Sequence, residues 1–367
     1  MMIVENPLRG VGLSADVDMA RGVLRTLARP VRTMLESCPV HAETPLLDRG
    51  DLAGALGIEA LRIKDERQRM GLGSFKALGG AYAVACAVKT QAESMLGRAV
   101  YAEELTSDTV KSVVGNLHVL CASAGNHGLS VAAGARVFGV KASIYLSESV
   151  PEAFAERLRG IGATVVRAGA IYEESMAAAE AASRTEGMLI SDSTWPGYVE
   201  PALVVLEGYS VLAAEIAEAM DAPTHIFLQA GVGGMASAVA ATLRDAWGAG
   251  PKIVVVEPEA AACLLEGVKA GRPVTATGPV SNMGRLDCKD ASHVALEYLA
   301  READAFMTLS DAEADAAVTR LAQEGLESSP SGAAGLAALM TCGEAQRAAL
   351  GLSDTSRVLV VLSEGAV

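Results

Sequence analysis

Several things are missing from this sequence, and each absence narrows the reading. Its six cysteines, at positions 38, 86, 121, 263, 288 and 342, form no C-x-x-C and no Cys/His cluster. A zinc site is therefore not expected. Basic residues are short: 30 Lys and Arg stand against 44 Asp and Glu, a formal charge of −14. That balance argues against nucleic acid and anionic membranes as partners, and leaves the substrate open. No apolar run of membrane-spanning kind survives inspection. Ile226 to Leu243 carries no charge, but Gly231, Gly233 and Gly234 interrupt it, so it reads as strand, loop and helix. Met1 to Arg9 has no basic stretch leading into an apolar one, and no secretory signal is expected. Reduced, buried cysteines in a cytoplasmic protein are the default expectation. Cys263 and Cys288, which flank loops predicted to face the substrate, are the one pair to check for bonding. The chain also lacks G-x-G-x-x-G, Walker A, internal repeats and low-complexity linkers.

What is present is length and apolar content. The chain has 367 residues, 51% of them hydrophobic, ample for a large core in two domains or one large one. From residue 117 onward, short β-rich runs alternate with alanine-rich helical runs. His118–Ala122, Ala142–Leu146, Thr164–Arg167, Leu189–Asp192, His225–Gln229, Lys252–Glu257 and Val358–Leu362 read as strands. Gly128–Phe138, Tyr172–Thr185, Pro201–Met220, Gly234–Trp247 and Ala260–Ala270 read as helices among them. Such alternation predicts an α/β fold with mostly parallel sheets covered by helices. With no linker present, the domains are expected to form by chain crossing. Residues 1–89 and 200–367 would make a large domain, and 90–199 a smaller one.

Four stretches carry chemistry. Gly73-Ser74-Phe75-Lys76 sets a lysine where a loop becomes a helix. A cation is poorly placed at a helix start, so a neutral, functional amine suits the position better than an ordinary surface lysine. An apolar, glycine-rich setting beside Phe75 would lower its pKa by desolvation. Ser123-Ala124-Gly125-Asn126-His127-Gly128 follows a strand; it could be simply a strand-end turn, or a loop presenting N–H groups to an anion. His127 reads as structural even within that loop. Gly231-Val232-Gly233-Gly234-Met235 follows a strand and opens a helix, which suits a phosphate as well as a tight turn. Leu362-Ser363-Glu364-Gly365 closes the last strand, and its serine could be a hydroxyl contact or only a strand cap.

Taken together, these stretches look like the contact points of a pyridoxal 5'-phosphate pocket: Lys76 for the aldehyde, Asn126 for the phenolic oxygen, the glycine loop for the phosphate and Ser363 for the ring nitrogen. The chain resembles the fold-type II pyridoxal-phosphate enzymes, the group of serine and threonine dehydratases and cysteine synthase. Within that group it looks most like the 2,3-diaminopropionate ammonia-lyases. The narrower match rests on Lys64-Asp65-Glu66, Asp192-Ser193-Thr194-Trp195-Pro196-Gly197-Tyr198, Gln229-Ala230-Gly231-Val232-Gly233, Val256-Glu257-Pro258, Met283-Gly284-Arg285-Leu286-Asp287-Cys288 and Ser363-Glu364-Gly365.

The resemblance implies a division of labour. Lys76 and Asp192 would be catalytic. Phe75, Asn126, Gly231 through Met235 and Ser363 would hold the cofactor. Ser123, Ala124, Gly125, His127 and Tyr198 would face a small amino acid. Asp192 would pair with a β-ammonium and act as acid or base. It could otherwise be a helix N-cap or turn residue. A serine at the ring nitrogen makes a moderate electron sink, which suits β-elimination. Two departures stand out. The ammonia-lyases commonly carry Asp where this chain has Ala124, so a single enantiomer, the L form, is expected. Pro330-Ser331-Gly332-Ala333-Ala334-Gly335 is closer to the dehydratase pattern. The expected activity is elimination from L-2,3-diaminopropionate to pyruvate and ammonia, by a homodimer. The alternatives are a dehydratase of serine, threonine or 3-hydroxyaspartate, and a non-catalytic binding protein.

Overall fold

Residues 1–366 are described by a computed structural model. Eleven strands form two sheets. In chain order they are β1 (Ile3–Glu5), β2 (Leu46–Asp48), β3 (Ala60–Asp65), β4 (His118–Ala122), β5 (Lys141–Leu146), β6 (Thr164–Arg167), β7 (Met188–Leu189), β8 (His225–Gln229), β9 (Lys252–Pro258), β10 (Ala305–Leu309) and β11 (Arg357–Leu362). The larger sheet runs β1-β10-β9-β8-β11-β3-β2, and the smaller β6-β5-β4-β7. Only the edge pairs β1/β10 and β2/β3 are antiparallel.

Side-chain alternation along the strands divides the larger sheet's two faces. Ile226, Leu228, Ile253, Val255, Leu359 and Val361 join one core. Phe227, Val254, Val256, Val358, Val360 and Leu362 join the other. The first core continues into the smaller sheet through Val119, Cys121 and Ile144. The helix Lys76–Leu96 links the two sheets. It continues past residue 89, ends at Gly97 (φ 65°), and packs on the helix Asn126–Phe138 on one side and Glu200–Gly208 on the other.

That packing needs missing side chains. A Cβ on Gly79 would lie 2.6 Å from the Val205 carbonyl, one on Gly208 2.6 Å from Gly79 Cα, and one on Gly80 1.9 Å from Ser130 Oγ.

Three elements depart from the sequence reading. The single helix expected over 201–220 is two, Glu200–Gly208 and Ser210–Ala219. The Tyr209 N–H reaches back only to the Leu206 carbonyl (3.0 Å), and its ring is fully buried edge-on to Phe75. The strand expected over 189–192 is only Met188–Leu189, because the Ser191 N–H turns to the Tyr198 hydroxyl (2.9 Å). The helix expected over 260–270 is a short turn, Glu259–Ala261, followed by Cys263–Ala270. Glu257 sits fully buried at the end of β9 and accepts the N–H groups of Leu264 (2.8 Å) and Leu265 (2.9 Å). Burial pushes its carboxyl up to about 8, against the pull of those two donors.

Candidate active site

Lys76 opens its helix because the loop before it is pinned. Gly73 takes φ 85°, open to glycine but strained for other residues. The stretch is zipped to the end of β11: the Phe75 N–H donates to the Ser363 carbonyl (3.0 Å), and the Gly365 N–H to the Gly73 carbonyl (3.1 Å). Lysine and terminal serine, nearly 300 residues apart in sequence, are thus neighbours.

The amine of Lys76 meets the carboxylate of Asp192 and stands 5.2 Å from the ring centre of Phe75 and 5.9 Å from that of Tyr209. Side-chain exposures are only 23% and 19% for the pair. Here the expectation from sequence is corrected. Desolvation does pull the lysine pKa down, but the Asp192 charge outweighs it and holds the ammonium above its ordinary range. Burial likewise raises the Asp192 carboxyl, yet Lys76 wins and keeps it well below the usual carboxylate range.

Asp192 is held from both sides. Tyr198 accepts the Ser191 N–H and donates to the Leu189 carbonyl (2.8 Å), and it stacks on Trp195 at 4.3 Å. Its hydroxyl is therefore spent on the backbone around Asp192. Beyond Asp192, Thr194 N–H donates to Ser292 Oγ (3.0 Å) and Thr194 Oγ1 accepts the Val294 N–H (2.9 Å). The Ser292 N–H in turn donates to the Val232 carbonyl (3.0 Å), tying the acid loop to the glycine loop.

The glycine loop joins β8 to the helix Gly234–Trp247. Gly233 has φ 97°, and a Cβ there would stand 3.0 Å from Ala295 Cβ. One on Gly231 would stand 3.0 Å from Cys288 Sγ. The Cys263 thiol donates to the Gly231 carbonyl (3.6 Å). Both cysteines are free and flank the same glycine. Met235 is buried in the core below and Val232 is half-buried.

Ser363 is almost fully buried. Its Oγ accepts from Gln229 Nε2 (3.0 Å), which also serves the carbonyls of Gly332 (2.8 Å) and Val361 (3.0 Å). With its oxygen so engaged, the serine hydrogen is left to donate elsewhere. In the asparagine loop, Ser123 Oγ accepts the Gly125 N–H (3.3 Å) and Ala124 is exposed. His127 is buried with Nε2 on the Ile190 carbonyl (3.1 Å), and that burial lowers its pKa.

Asn126 brings in a residue not singled out from sequence. Its Nδ2 donates to Glu364 Oε2 (2.5 Å), while Glu364 Oε1 accepts Arg285 Nη1 (2.7 Å) and the Ser329 hydroxyl. Glu364, only 4% exposed, follows Ser363 directly, and that adjacency was its available signal. Gln229 stood only as the first letter of its motif, and Tyr209 gave no signal, since its contacts arise only in three dimensions. Asn126, Arg285, Glu364, Gly73 and Gly365 line a cavity of about 440 Å³. A larger cleft of about 620 Å³, around Glu259, Glu266 and Thr275, contains none of these residues.

Beneath the lysine loop lies a buried ionic cluster. Arg69 donates to Glu66 (2.7 Å, from both Nε and Nη2) and to Glu215 (2.6 and 2.8 Å), and Lys64 Nζ donates to Glu215 (2.5 Å). All four side chains are 2% exposed or less. Met70, next in line, is the one non-glycine with positive φ (51°) among the described residues.

These groups fit pyridoxal phosphate. A glycine loop, crowded by a Cβ at Gly231 or Gly233, opens a helix whose N–H groups suit a phosphate. A serine with an unspent hydrogen, an asparagine amide and a lysine converge on the same region. No group of His, Cys, Asp and Glu able to hold a metal occurs among the described residues. Nor is any described helix long and apolar enough to cross a membrane.

Comparison with known proteins agrees. The model of the family described as pyridoxal-phosphate dependent enzyme matches residues 38–364. A diaminopropionate ammonia-lyase of Salmonella typhimurium is 31% identical over 283 residues, covering 74% of this chain and 70% of that one. The diaminopropionate ammonia lyase of Escherichia coli, solved in complex with D-serine, superposes with a TM-score of 0.86 at 26% identity, covering 99% of this chain and 93% of the other. The same enzyme solved with an aminoacrylate-PLP azomethine reaction intermediate gives 0.85, again at 26% identity and covering 99% and 93%. The sheets, the lysine at its helix start and a family match over most of the length lead to one assignment: this chain belongs to the pyridoxal-phosphate dependent enzymes of fold type II.

Proposed function

We propose that the protein catalyses α,β-elimination of L-2,3-diaminopropionate to pyruvate and ammonia. The observation that carries this reading is the Asp192 carboxylate set against the Lys76 amine. The site thereby offers an anion beside its base, which suits a substrate bearing a second ammonium at Cβ.

Lys76, Asn126, Ser363 and the Gly231–Met235 loop would hold pyridoxal phosphate, which when bound supplies the electron sink that makes the Cα proton removable. Lys76 Nζ, neutral once the substrate has displaced it from the cofactor, would take the proton from Cα. Asp192, held ionised, pairs with the β-ammonium and exchanges a proton with the departing nitrogen. Ser363 would offer its free hydrogen to the cofactor ring, with Gln229 fixing which way the hydroxyl points. Glu364 orients the Asn126 amide by taking one of its two hydrogens. The Ser123–His127 loop receives the substrate carboxylate through backbone N–H groups. Tyr198 contributes by holding the Asp192 backbone. Exposed Ala124 offers no second carboxylate, which supports the L enantiomer alone.

A homodimer in the cytoplasm is part of the proposal; six free cysteines and the acidic balance support the compartment. The test is pyruvate release from L- and D-diaminopropionate and L-serine, 2-oxobutyrate release from L-threonine, and turnover of the 3-hydroxyaspartates. Turnover of L-diaminopropionate that falls at least a hundredfold in Asp192→Asn is expected. Turnover of hydroxy amino acids alone would replace the proposal with a dehydratase.

A further inference from the structure

The Met283–Cys288 segment contributes a guanidinium to this cavity. The Arg285 backbone is fixed: its N–H donates to Ser331 Oγ (3.1 Å), and its carbonyl lies 3.2 Å from where a Cβ on Gly231 would stand. Its side chain reaches across the cavity. Nη1 is anchored on Glu364 Oε1 (2.7 Å), and Nε comes within 3.9 Å of a Cβ position on Gly125.

The remaining donors, on Nε and Nη2, have no hydrogen-bond partner among the described residues. That is the edge with which arginine grips a carboxylate through two parallel bonds. Glu364 does not spend the cation fully, because it also takes hydrogens from Asn126 and Ser329. An anchored guanidinium thus presents its unpartnered edge over the loop expected to receive the substrate's acid group.

We propose that Arg285 is a specificity residue that binds the α-carboxylate of the substrate, so that the enzyme takes free amino acids and rejects their amides and peptides. The inference rests on the reading of this site as an amino-acid lyase, but not on which leaving group departs. Glu364 serves as the fixed anchor that aims the guanidinium. The Gly125 loop supplies the opposite wall, and the two together enclose the acid group.

The test uses the holoenzyme with Arg285→Gln and Arg285→Lys. The substrate is whichever amino acid releases keto acid fastest, set beside its carboxamide. Arg285→Gln should raise KM for the acid roughly tenfold to a hundredfold, with kcat within threefold and KM for the amide unchanged. Arg285→Lys, which keeps the charge and loses the fork, should fall between. Visible absorbance of the bound cofactor, titrated with propionate and with propionamide, gives a second readout that needs no turnover. Wild type should respond to propionate at concentrations at least tenfold lower than Arg285→Gln, and to propionamide equally in both. Should Arg285→Gln not retain cofactor, Arg285→Lys decides alone by the same two comparisons. Equal losses for acid and amide, or no loss in either readout, would overturn the assignment. Failure of diaminopropionate to react would remove the proposed substrate and leave the propionate titration standing.

Discussion

Arg69 offers the sharpest test of how the lysine loop is supported. Replacing it by methionine keeps the length and removes the charge. The structure then leaves Glu66 and Glu215 buried at 0% and 2% side-chain exposure, with only Lys64 to oppose them. Two carboxylates facing one ammonium is an uncompensated buried charge, and such losses cost about 3–5 kcal/mol. Unfolding entropy of roughly 2.1 cal/mol/K per residue makes this worth about 4–6 °C in Tm for a chain of this length. Arg62→Met is the control: its pair with Asp48 (3.0 Å) is 38% and 59% exposed and should matter by no more than ~1 kcal/mol, or about 1 °C. Differential scanning calorimetry with a urea titration at pH 7 measures both. Adding Glu66→Gln to Arg69→Met restores charge balance and should recover part of the loss, a non-additivity expected of one network. If Arg69→Met and Arg62→Met differ by less than about 1 °C, the cluster contributes nothing as a buried ionic unit.

Two further outcomes follow from single residues. Glu257 has a folded pKa raised to about 8, so between its ordinary value and that point the folded state holds a proton the unfolded chain has lost. Stability should therefore fall as pH rises through this window, by up to about 1.4 kcal/mol per pH unit, and Glu257→Gln should flatten the slope in urea titrations at pH 5 to 8. Tyr198→Phe leaves the Ser191 N–H and Leu189 carbonyl without their partner; kcat should drop roughly tenfold or more with the visible cofactor spectrum unchanged, and an undiminished kcat would separate Tyr198 from Asp192.

Much of this was legible in the chain. The strand–helix alternation from residue 117 is a local pattern, and it located β4, β5, β6, β8, β9 and β11 because buried parallel strands are short apolar runs. The glycine loop was legible for the same reason: its glycines meet a steric demand. What escaped was set by contact at a distance. The break at Tyr209 depends on Gly79 in another helix. The direction of the Lys76 pKa depends on Asp192, 116 residues away, whereas sequence shows only the apolar neighbours. Glu364 and Arg285 were read as motif letters, because nothing local says that one anchors the other. β1, β10 and the helix His293–Glu302 carried too little periodicity to separate from the irregular segments around them.

The strand order has a consequence for how the protein is made. β11 is the last strand in the chain, yet it lies inside the larger sheet, bonded to β8 on one side and β3 on the other. The smaller sheet is complete by residue 189 and can form while synthesis continues. The larger one stays split into two fragments until residues 357–362 emerge. Because Ser363 fastens the Lys76 loop, the lysine lacks that neighbour until β11 has emerged. Cofactor capture therefore has to wait for β11, and a nascent chain released before β11 would carry the lysine without the pocket.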